Sequence, residues 1–214
     1  MSRIAVVGGT GQLGSALAKR LARAGHDVVI GSRSAASAEI AARAIGDRIE
    51  FATNEEAARE CDFVLVTIPY AAQSETLAQI RNSVGGAIVI DATVPLVPPR
   101  VMRVQLPAAG CAALEARARL GPDVRLVSAF HNVAAHKLAA DEAVDCDVLV
   151  FSDDKEARAE TIALIEGIGM RALAGGSLAN SAAAEALTSI LIFLNKTYEA
   201  DGAGIRFTGV ETRG

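Results

Sequence analysis

The sequence of 214 residues predicts an α/β fold with a doubly wound, mainly parallel sheet. Short apolar runs of strand length alternate along the chain with segments of helical periodicity, which is the order of parallel strands joined by right-handed crossover helices. The first apolar run leads directly into a glycine-rich turn and then into a helical pattern. Hydrophobic residues make up 51% of the chain, so a packed core is expected.

The glycine-rich turn follows the first predicted strand, residues 4–7, and precedes a helix predicted over residues 13–24. Gly9, Gly11 and Gly14 have the spacing G-x-G-x-x-G of a Rossmann-type dinucleotide site. There the three glycines permit a tight turn, a close approach of backbone to pyrophosphate, and close packing of helix on strand. The alternative is a glycine-rich turn without a ligand. The residues predicted to bind the pyrophosphate are Gly9, Thr10, Gly11, Gln12 and Leu13.

The second predicted strand, residues 28–31, indicates which dinucleotide binds. NAD enzymes usually carry Asp or Glu after this strand to accept hydrogen bonds from the ribose 2′-hydroxyl, and this chain has Ser32, Arg33 and Ser34 there instead. An arginine can hold a phosphate with two charge-assisted hydrogen bonds, so NADP(H) is predicted, with Ser37 as a further hydroxyl. The alternative is that Arg33 stacks on the adenine or lies in solvent, and that the site also accepts NADH.

The remaining elements are predicted from apolar runs, capping residues and helix-ending glycines. Asn54 is predicted to cap a short helix with acidic residues in its first turn, and Asn180 to cap a long apolar helix. The proline-rich segment 95–107 is predicted to be irregular. The other predicted strands are residues 49–53, 62–67, 87–91, 125–130 and 146–151, and the other helices are residues 35–45, 108–120, 155–168 and 181–198.

Three of the predicted strands end at the edge where open α/β sheets bind their ligands, and the nicotinamide is expected among the residues that follow them. His131 is the titratable residue of this group, so it is the predicted catalytic residue, which orients the substrate or donates a proton. The alternative is a packed, hydrogen-bonded histidine. The other residues predicted to shape the nicotinamide site are Thr67, Ile68, Pro69, Thr93 and Val133.

Composition and charge narrow the expected partners to a small-molecule substrate. The net charge of −4 argues against nucleic acid, which needs a basic face, and no apolar run reaches the length of a membrane span. The chain enters its first strand at once, which leaves no room for a signal peptide. Cys61, Cys111 and Cys146 are widely spaced and form no metal pattern, so reduced thiols in a cytoplasmic protein without a metal site are expected.

The chain has no linker that marks a certain domain boundary. We expect a dinucleotide-binding Rossmann domain over residues 1–145. A small C-terminal extension, helical or α+β, is expected over residues 146–214, where it completes the acceptor pocket. The late apolar helix predicts either core or a dimer surface.

Taken together, these motifs resemble the F420-dependent NADP oxidoreductases, which move hydride between NADP(H) and the deazaflavin coenzyme F420. The resemblance covers nearly the whole chain. Besides the residues already named, it rests on Gly25-His26, Cys61-Asp62, Val94-Pro95-Leu96-Val97-Pro98, Val127-Ser128-Ala129-Phe130-His131, Asn180-Ser181, Glu185-Ala186-Leu187-Thr188 and Gly204-Ile205-Arg206-Phe207.

The resemblance implies roles for several residues. It implies that Ser32 and Arg33 hold the 2′-phosphate and that Val133 packs near the nicotinamide. It further implies a homodimer. The residues that it places at the acceptor are His131, Asn132 and Thr188.

Several positions depart from the family pattern, among them residues 132–134, which are Asn-Val-Ala where the pattern has Thr-Ile-Pro. Ala182 stands where an arginine of the acceptor pocket is expected, Ala186 where a serine is, and Ser37 where a basic residue is. Two alternatives to the family activity therefore stay open. One is an NADPH-dependent reductase of free flavin or of a small carbonyl or imine, and the other is an NADP-binding sensor without catalysis.

Overall fold

The computed structural model describes residues 1–140 and 142–210 and contains a single sheet within that part of the chain. Its strands are β1 (Arg3–Val7), β2 (Asp27–Ser32), β3 (Glu50–Thr53), β4 (Phe63–Val66), β5 (Ile88–Asp91), β6 (Arg125–Ser128), β7 (Asp147–Phe151) and β8 (Arg171–Gly176). Its helices are α1 (Gln12–Arg23), α2 (Ala35–Ile45), α3 (Asn54–Ala57), α4 (Tyr70–Ile80), α5 (Ala112–Leu120), α6 (Ala135–Ala139), α7 (Lys155–Gly167) and α8 (Ser181–Thr197).

The strands follow the order β3-β2-β1-β4-β5-β6-β7-β8 across the sheet. Strands β1 to β6 are mutually parallel, and β1 lies between β2 and β4, where the direction of winding reverses. A crevice opens at the carboxyl ends of the strands at such a reversal. The predicted α/β fold with a doubly wound, mainly parallel sheet is therefore confirmed.

The last two strands extend this sheet. β7 runs antiparallel to β6, which it meets at the pair Ser128 and Phe151, and β8 runs parallel to β7. Because of this reversal, β7 and β8 begin at the edge of the sheet where β6 ends. Residues 146–214 thus contribute two strands to the common sheet, and the division of the chain at residue 145 stays a prediction.

Both faces of the sheet are covered by helices. In β1, Ile4 and Val6 pack with Leu17 of α1 in one apolar cluster, whereas Ala5 and Val7 pack with Leu77 of α4 in the other. A strand buried on both faces is typical of the centre of a parallel sheet.

The sequence patterns did not indicate the helices α4 and α6 or the strand β8. α4 buries polar Gln73 and Thr76 beside Leu77 and Ile80, so its apolar periodicity is weak. β8 has the sequence Arg-Ala-Leu-Ala-Gly-Gly, and alanine and glycine are depleted in strands.

The prediction that Asn54 caps the helix α3 is wrong. Thr53 caps it, since its hydroxyl accepts a hydrogen bond from the Glu56 N–H at 3.4 Å and the Glu56 carboxylate accepts one from the Thr53 N–H at 3.2 Å. This reciprocal capping box is the more favourable arrangement for the sequence Thr-Asn-Glu-Glu. The Asn54 side chain is therefore available to hydrogen-bond with the glycine-rich turn.

Asn180 does not cap α8 through its side chain either, because its amide donates to the Gly175 carbonyl at 3.0 Å. A 3₁₀ turn, Leu178–Asn180, leads into α8 instead. The expectation that no apolar run reaches the length of a membrane span is wrong, because the turn and helix together, Leu178–Thr197, are long and apolar enough to cross a membrane, with a mean hydropathy of 1.3. About a third of the residues in this apolar stretch are buried. The core helix of a globular protein can have the same length and composition.

Candidate functional site

The glycine-rich turn between β1 and α1 combines close packing with an open surface. A Cβ atom on Gly14 would lie 2.5 Å from Thr67 Oγ1 and 2.8 Å from Gly9 Cα, so only glycine lets α1 pack this close. A Cβ atom on Gly11 would meet nothing in the described chain closer than the Gly8 carbonyl oxygen at 3.4 Å. The turn is therefore closely packed at Gly14 and open at Gly11. This arrangement suits a pyrophosphate bound at the N-terminus of α1.

A cavity of about 950 Å³ opens at the carboxyl ends of β1, β2 and β4. It joins the glycine-rich turn to the polar end of β2 and to the residues after β4. Its volume is within the range of cofactor sites. The predicted cofactor residues that line it are Thr10, Gly11, Ser32, Arg33, Ser37, Thr67, Ile68 and Pro69.

The end of the cavity at which the 2′-phosphate is predicted to bind is formed by the end of β2 and the first turn of α2. Ser32 is buried at the last position of β2, whereas Arg33 extends into solvent. Ser34 caps α2 by accepting a hydrogen bond from the Ser37 N–H at 3.2 Å, which places Ser37 in the first turn of the helix. A guanidinium, several hydroxyls and a helix N-terminus meet here, and each favours a phosphate.

Three polar residues that line the cavity were not predicted from the sequence. Asn54 Oδ1 accepts a hydrogen bond from the Gly8 N–H at 3.2 Å and so holds the start of the glycine-rich turn. Glu75 and Thr76 line the opposite wall. Both lie on α4, and without that helix no sequence signal could place them.

Three of the residues predicted to bind the pyrophosphate lie outside the lining of this cavity. The Gly9 N–H donates to the carbonyls of Val6 and Gly31 at 3.1 and 3.0 Å, so Gly9 closes the turn from below. Leu13 packs against the apolar core. Gln12 lines a neighbouring groove between α1 and α2. Their roles in binding the cofactor stay predictions.

Thr93 lies in a closed polar network below the crevice. Its N–H and hydroxyl both donate to Asp91 Oδ1, at 3.0 and 2.5 Å, and Gln73 donates to Asp91 Oδ2 at 2.6 Å. Thr93 is only 2% exposed. Burial raises the pKa of the Asp91 carboxyl, and the hydrogen bonds from Thr93 and Gln73 oppose that rise. Thr93 thus supports the end of β5 through Asp91.

His131 is packed at the end of β6 and is 6% exposed. Its Nε2 lies 2.8 Å from the Ser128 hydroxyl, and its ring centroid lies 6.1 Å from that of Phe151. Burial lowers the pKa of His131 to about 4, so the imidazole is neutral at physiological pH. His131 is therefore packed and hydrogen-bonded, as in the alternative interpretation of this residue. Its catalytic role stays a prediction.

The two other predicted acceptor residues contact each other. The Asn132 amide donates to the Ala184 carbonyl at 2.8 Å and to Thr188 Oγ1 at 3.2 Å. Thr188 Oγ1 lies 2.9 Å from the His131 carbonyl, to which it donates. Val133, the next residue, is partly buried against the core. The residues after β6 are thus joined to α8.

The groups at the site favour binding of a ligand over acid–base chemistry. The cavity supplies donors and a positive helix end for a large anionic ligand, and the end of β6 supplies packed, uncharged groups. Within residues 1–140 and 142–210, no three His, Cys, Asp or Glu side chains are grouped to hold a metal ion. Binding and orienting a dinucleotide is the task that these residues suit.

Known proteins resemble this chain over nearly its full length. Residues 3–95 match the family described as NADP oxidoreductase, coenzyme F420-dependent. The F420-dependent NADP reductase of Methanothermobacter thermautotrophicus is 40% identical to the chain, over 97% of this chain and 95% of that protein. The chain belongs to the F420-dependent NADP oxidoreductase family. The resemblance found in the sequence is therefore confirmed.

Other members and neighbours agree with this membership. The F420-dependent NADP reductase of Methanocaldococcus jannaschii is 38% identical to this family member, over 98% of the chain and 99% of that protein. A crystal structure from Arthrobacter sp. FB24 has a TM-score of 0.85 and 22% identity, and it covers 97% of this chain and 100% of its own. At that identity the likeness concerns the fold alone.

Proposed function

We propose that this protein is an NADP-dependent oxidoreductase that transfers hydride between NADP(H) and coenzyme F420. The observation that carries the proposal is the 40% identity, over 97% of the chain, to a relative named F420-dependent NADP reductase. None of the relatives cited above favours free flavin, a carbonyl or an imine as the acceptor. The departures at Ala182 and Ala186 concern two partly buried positions on α8.

The cofactor half of the proposal rests on the cavity at the glycine-rich turn. Thr10 and Gly11 present backbone to the pyrophosphate, and Gln12 begins the helix whose dipole favours it. Arg33, with Ser32 beside it, binds the 2′-phosphate. The nicotinamide, once bound, supplies or receives the hydride, and the chain's own residues orient it and exclude water.

The acceptor half of the proposal rests on the end of β6 and on α8. Val133 lies on the nicotinamide side of the acceptor pocket. His131, close to it in the chain, is uncharged at physiological pH. A pair of stacked redox rings needs positioning and dryness more than a charged acid. The hydrogen bond between Asn132 and Thr188 fixes the loop after β6 against α8, where the two rings would be positioned.

The proposed activity is tested by mixing the purified protein with NADPH and oxidised F420 and following the deazaflavin absorbance. NADH replaces NADPH in one control, and free flavin replaces F420 in another. Rapid bleaching with NADPH and F420 is expected. Tight NADPH binding without bleaching would reject F420 as the acceptor and redirect the assay to flavins and small carbonyls. No binding of NADPH would reject the cofactor assignment as well.

The proposal includes a homodimer formed through α8. Ile190 and Phe193 of this helix are 43% and 51% exposed, and Leu106 of the proline-rich segment is 43% exposed. The Ser189 hydroxyl donates to the Arg103 carbonyl at 3.4 Å, so the proline-rich segment lies along α8 and enlarges its apolar surface. Sedimentation velocity should show a dimer for the native chain and a monomer for Phe193→Glu.

A reducing compartment such as the cytoplasm is the proposed location. Cys111 and Cys146 are buried free thiols, which suits such an environment. The proposed partners are small-molecule cofactors, without nucleic acid or membrane. After cytosolic expression, the measured mass of the protein should equal that of the unmodified chain. All three cysteines should react with a thiol reagent in denaturant.

A further inference from the structure

The chain after α8 folds back as a strap, residues 201–210, over the loop between β6 and β7. The Ala203 N–H donates to Asn195 Oδ1 near the end of α8 at 2.7 Å. Asp201 is paired with Lys137 at 2.6 Å and with His136 at 2.9 Å, on and beside the loop. The strap therefore joins α8 to the segment that follows the predicted nicotinamide residues.

A buried aspartate pins the strap in place. The Asp147 side chain is 0% exposed, and its Oδ2 accepts hydrogen bonds from the Phe207 N–H at 2.6 Å and from Arg171 Nη1 at 3.1 Å. The Asp147 N–H donates to the Ile205 carbonyl at 2.7 Å, and Arg206 Nε lies 3.7 Å from Asp147 Oδ1. A fully buried carboxylate is tolerated only with such partners. We call Asp147 and Arg171 the clamp, since they hold the strap in this docked position.

The strap presses on the loop that leaves β6. A Cβ atom on Gly202 would lie 2.9 Å from Ala134 Cβ, and one on Gly204 would lie 2.8 Å from Cys146 Cβ. The Cys146 thiol donates to the Asn132 carbonyl and accepts from the Ile205 N–H, at 3.4 and 3.5 Å. The contact between strap and loop thus reaches Asn132 through Cys146, and Val133 through its neighbour Ala134.

We infer that Asp147 and Arg171 are positioning residues for the hydride transfer, because they clamp the strap that holds residues 132–134 at the nicotinamide side of the crevice. This inference rests on the proposed function, in which those residues face the reacting ring. Neither residue lines the cofactor cavity, and both contact the strap, through which their effect would be transmitted. The clamp sits where β7 and β8 begin, which is the edge of the sheet that carries the site.

The test compares Arg171→Met with Arg125→Met in the full chain. Arg125 pairs with Asp154 at 3.1 Å at the opposite edge of the sheet, and its side chain is 32% exposed against 23% for Arg171. Arg171→Met is expected to lower kcat with NADPH and F420 by about 10- to 100-fold, because small displacements of reacting groups are costly. The Kd for NADPH should stay unchanged, and the primary isotope effect with C4-deuterated NADPH should rise. Arg125→Met should change none of these, and Arg171→Lys should restore most of kcat.

Amide hydrogen exchange of residues 131–134 in the NADPH-bound protein separates this inference from the proposed function. Exchange should accelerate in Arg171→Met and not in Arg125→Met, whatever the acceptor is. Equal exchange in the two variants overturns the inference, as does a fall in kcat with an unchanged isotope effect. If wild type does not reduce F420, the proposed function fails while the exchange result still decides the strap.

A second variant tests the strap if Arg171→Met does not fold. Gly202→Ala places a methyl group 2.8 Å from the His136 ring and 2.9 Å from Ala134, at a backbone φ of +81° that strains any residue but glycine, so it displaces the strap while the side chains of Asp147 and Arg171 stay unchanged. The same fall in kcat and rise in isotope effect are expected. Native kinetics in a folded Gly202→Ala protein would contradict the inference.

Discussion

The Asn132 amide lies 3.2 Å from the Thr188 hydroxyl and donates to it, which joins two residues 56 positions apart in the chain. Thr188 Oγ1 in turn donates to the His131 carbonyl at 2.9 Å. Both side chains therefore use their donors within the protein. Their geometry favours a role in setting the position of α8 against the end of β6 over direct donation to a ligand.

Thr188→Val should separate this positioning role from a general loss of stability. The variant keeps the shape and loses the bond to the His131 carbonyl, which should cost about 1 kcal/mol of unfolding free energy. We expect a raised KM for F420 and an unchanged Kd for NADPH, measured by steady-state kinetics and by fluorescence titration. Thr188→Ser is the matched control and should behave as wild type. Equal kinetics for the valine and serine variants would show that the hydroxyl has no such role.

Arg33→Ala should weaken NADPH far more than NADH. Arg33 is exposed beside the cap of α2 and lines the cavity next to Ser32 and Ser37. Loss of a charge-assisted contact should raise the KM for NADPH by about 10- to 100-fold. The comparison is the ratio of kcat/KM values for the two cofactors.

Arg43→Ala is the control for that ratio. Arg43 lies in the last turn of α2, over the Phe51 ring at 5.7 Å, so the variant makes the same charge change away from the cavity. Its cofactor ratio should equal that of wild type. Equal losses for NADPH and NADH in Arg33→Ala would reject the role of Arg33 in 2′-phosphate recognition.

The cofactor half of the site was predictable because its signals are local. The strand, the glycine spacing and the Ser32-Arg33 pair lie within a short stretch, and each has a direct physical meaning. Asn54 illustrates the limit, because the same polar residue could cap α3 or serve the turn at Gly8. Only the competing capping box at Thr53 decides between them.

The acceptor half depends on contacts between distant segments, and a single sequence does not reveal those. Asn132 could be placed at the end of a strand from the sequence, and Thr188 at the acceptor only through the family resemblance, but their mutual hydrogen bond could not be predicted. The histidine at the end of β6 looked available for proton transfer until its Ser128 partner and its burial were known. Asp147 gave no sequence signal, since its partners come from β8 and the strap.

The free energy of unfolding should decrease as the pH is lowered from 6.5 to 4, because of His131. Burial lowers its pKa from 6.5 to about 4, so within this window the unfolded chain binds a proton that the folded protein does not. The contribution is at most about 3 kcal/mol. Urea unfolding at pH 7 and pH 5 should show a smaller difference in His131→Gln than in wild type. His136→Gln removes an exposed histidine and should retain the wild-type difference; a full difference in both variants would contradict the assignment.

Glu185 should have the opposite effect on stability. This carboxylate of α8 is 1% exposed, and its two oxygens accept hydrogen bonds from the N–H groups of Ala112 and Ala113 at 2.7 and 3.2 Å, at the start of α5. Burial raises its pKa from 4.5 to about 7, although those hydrogen bonds oppose the rise. Between these values the folded state binds the extra proton, so the free energy of unfolding decreases as pH rises through the window, by up to about 3 kcal/mol.

Glu185→Gln tests this linkage, because glutamine has nearly the same volume and no ionisation. Its amide group must face one of the two α5 N–H groups, so the variant loses one hydrogen bond at the start of that helix. The stability difference between wild type and Glu185→Gln should nevertheless be larger at pH 5 than at pH 8, since only wild type gains from protonation. Urea unfolding at the two pH values measures it, with exposed Glu166→Gln as the control. A difference that is constant with pH would mean that Glu185 ionises in the folded protein as it does in the unfolded chain.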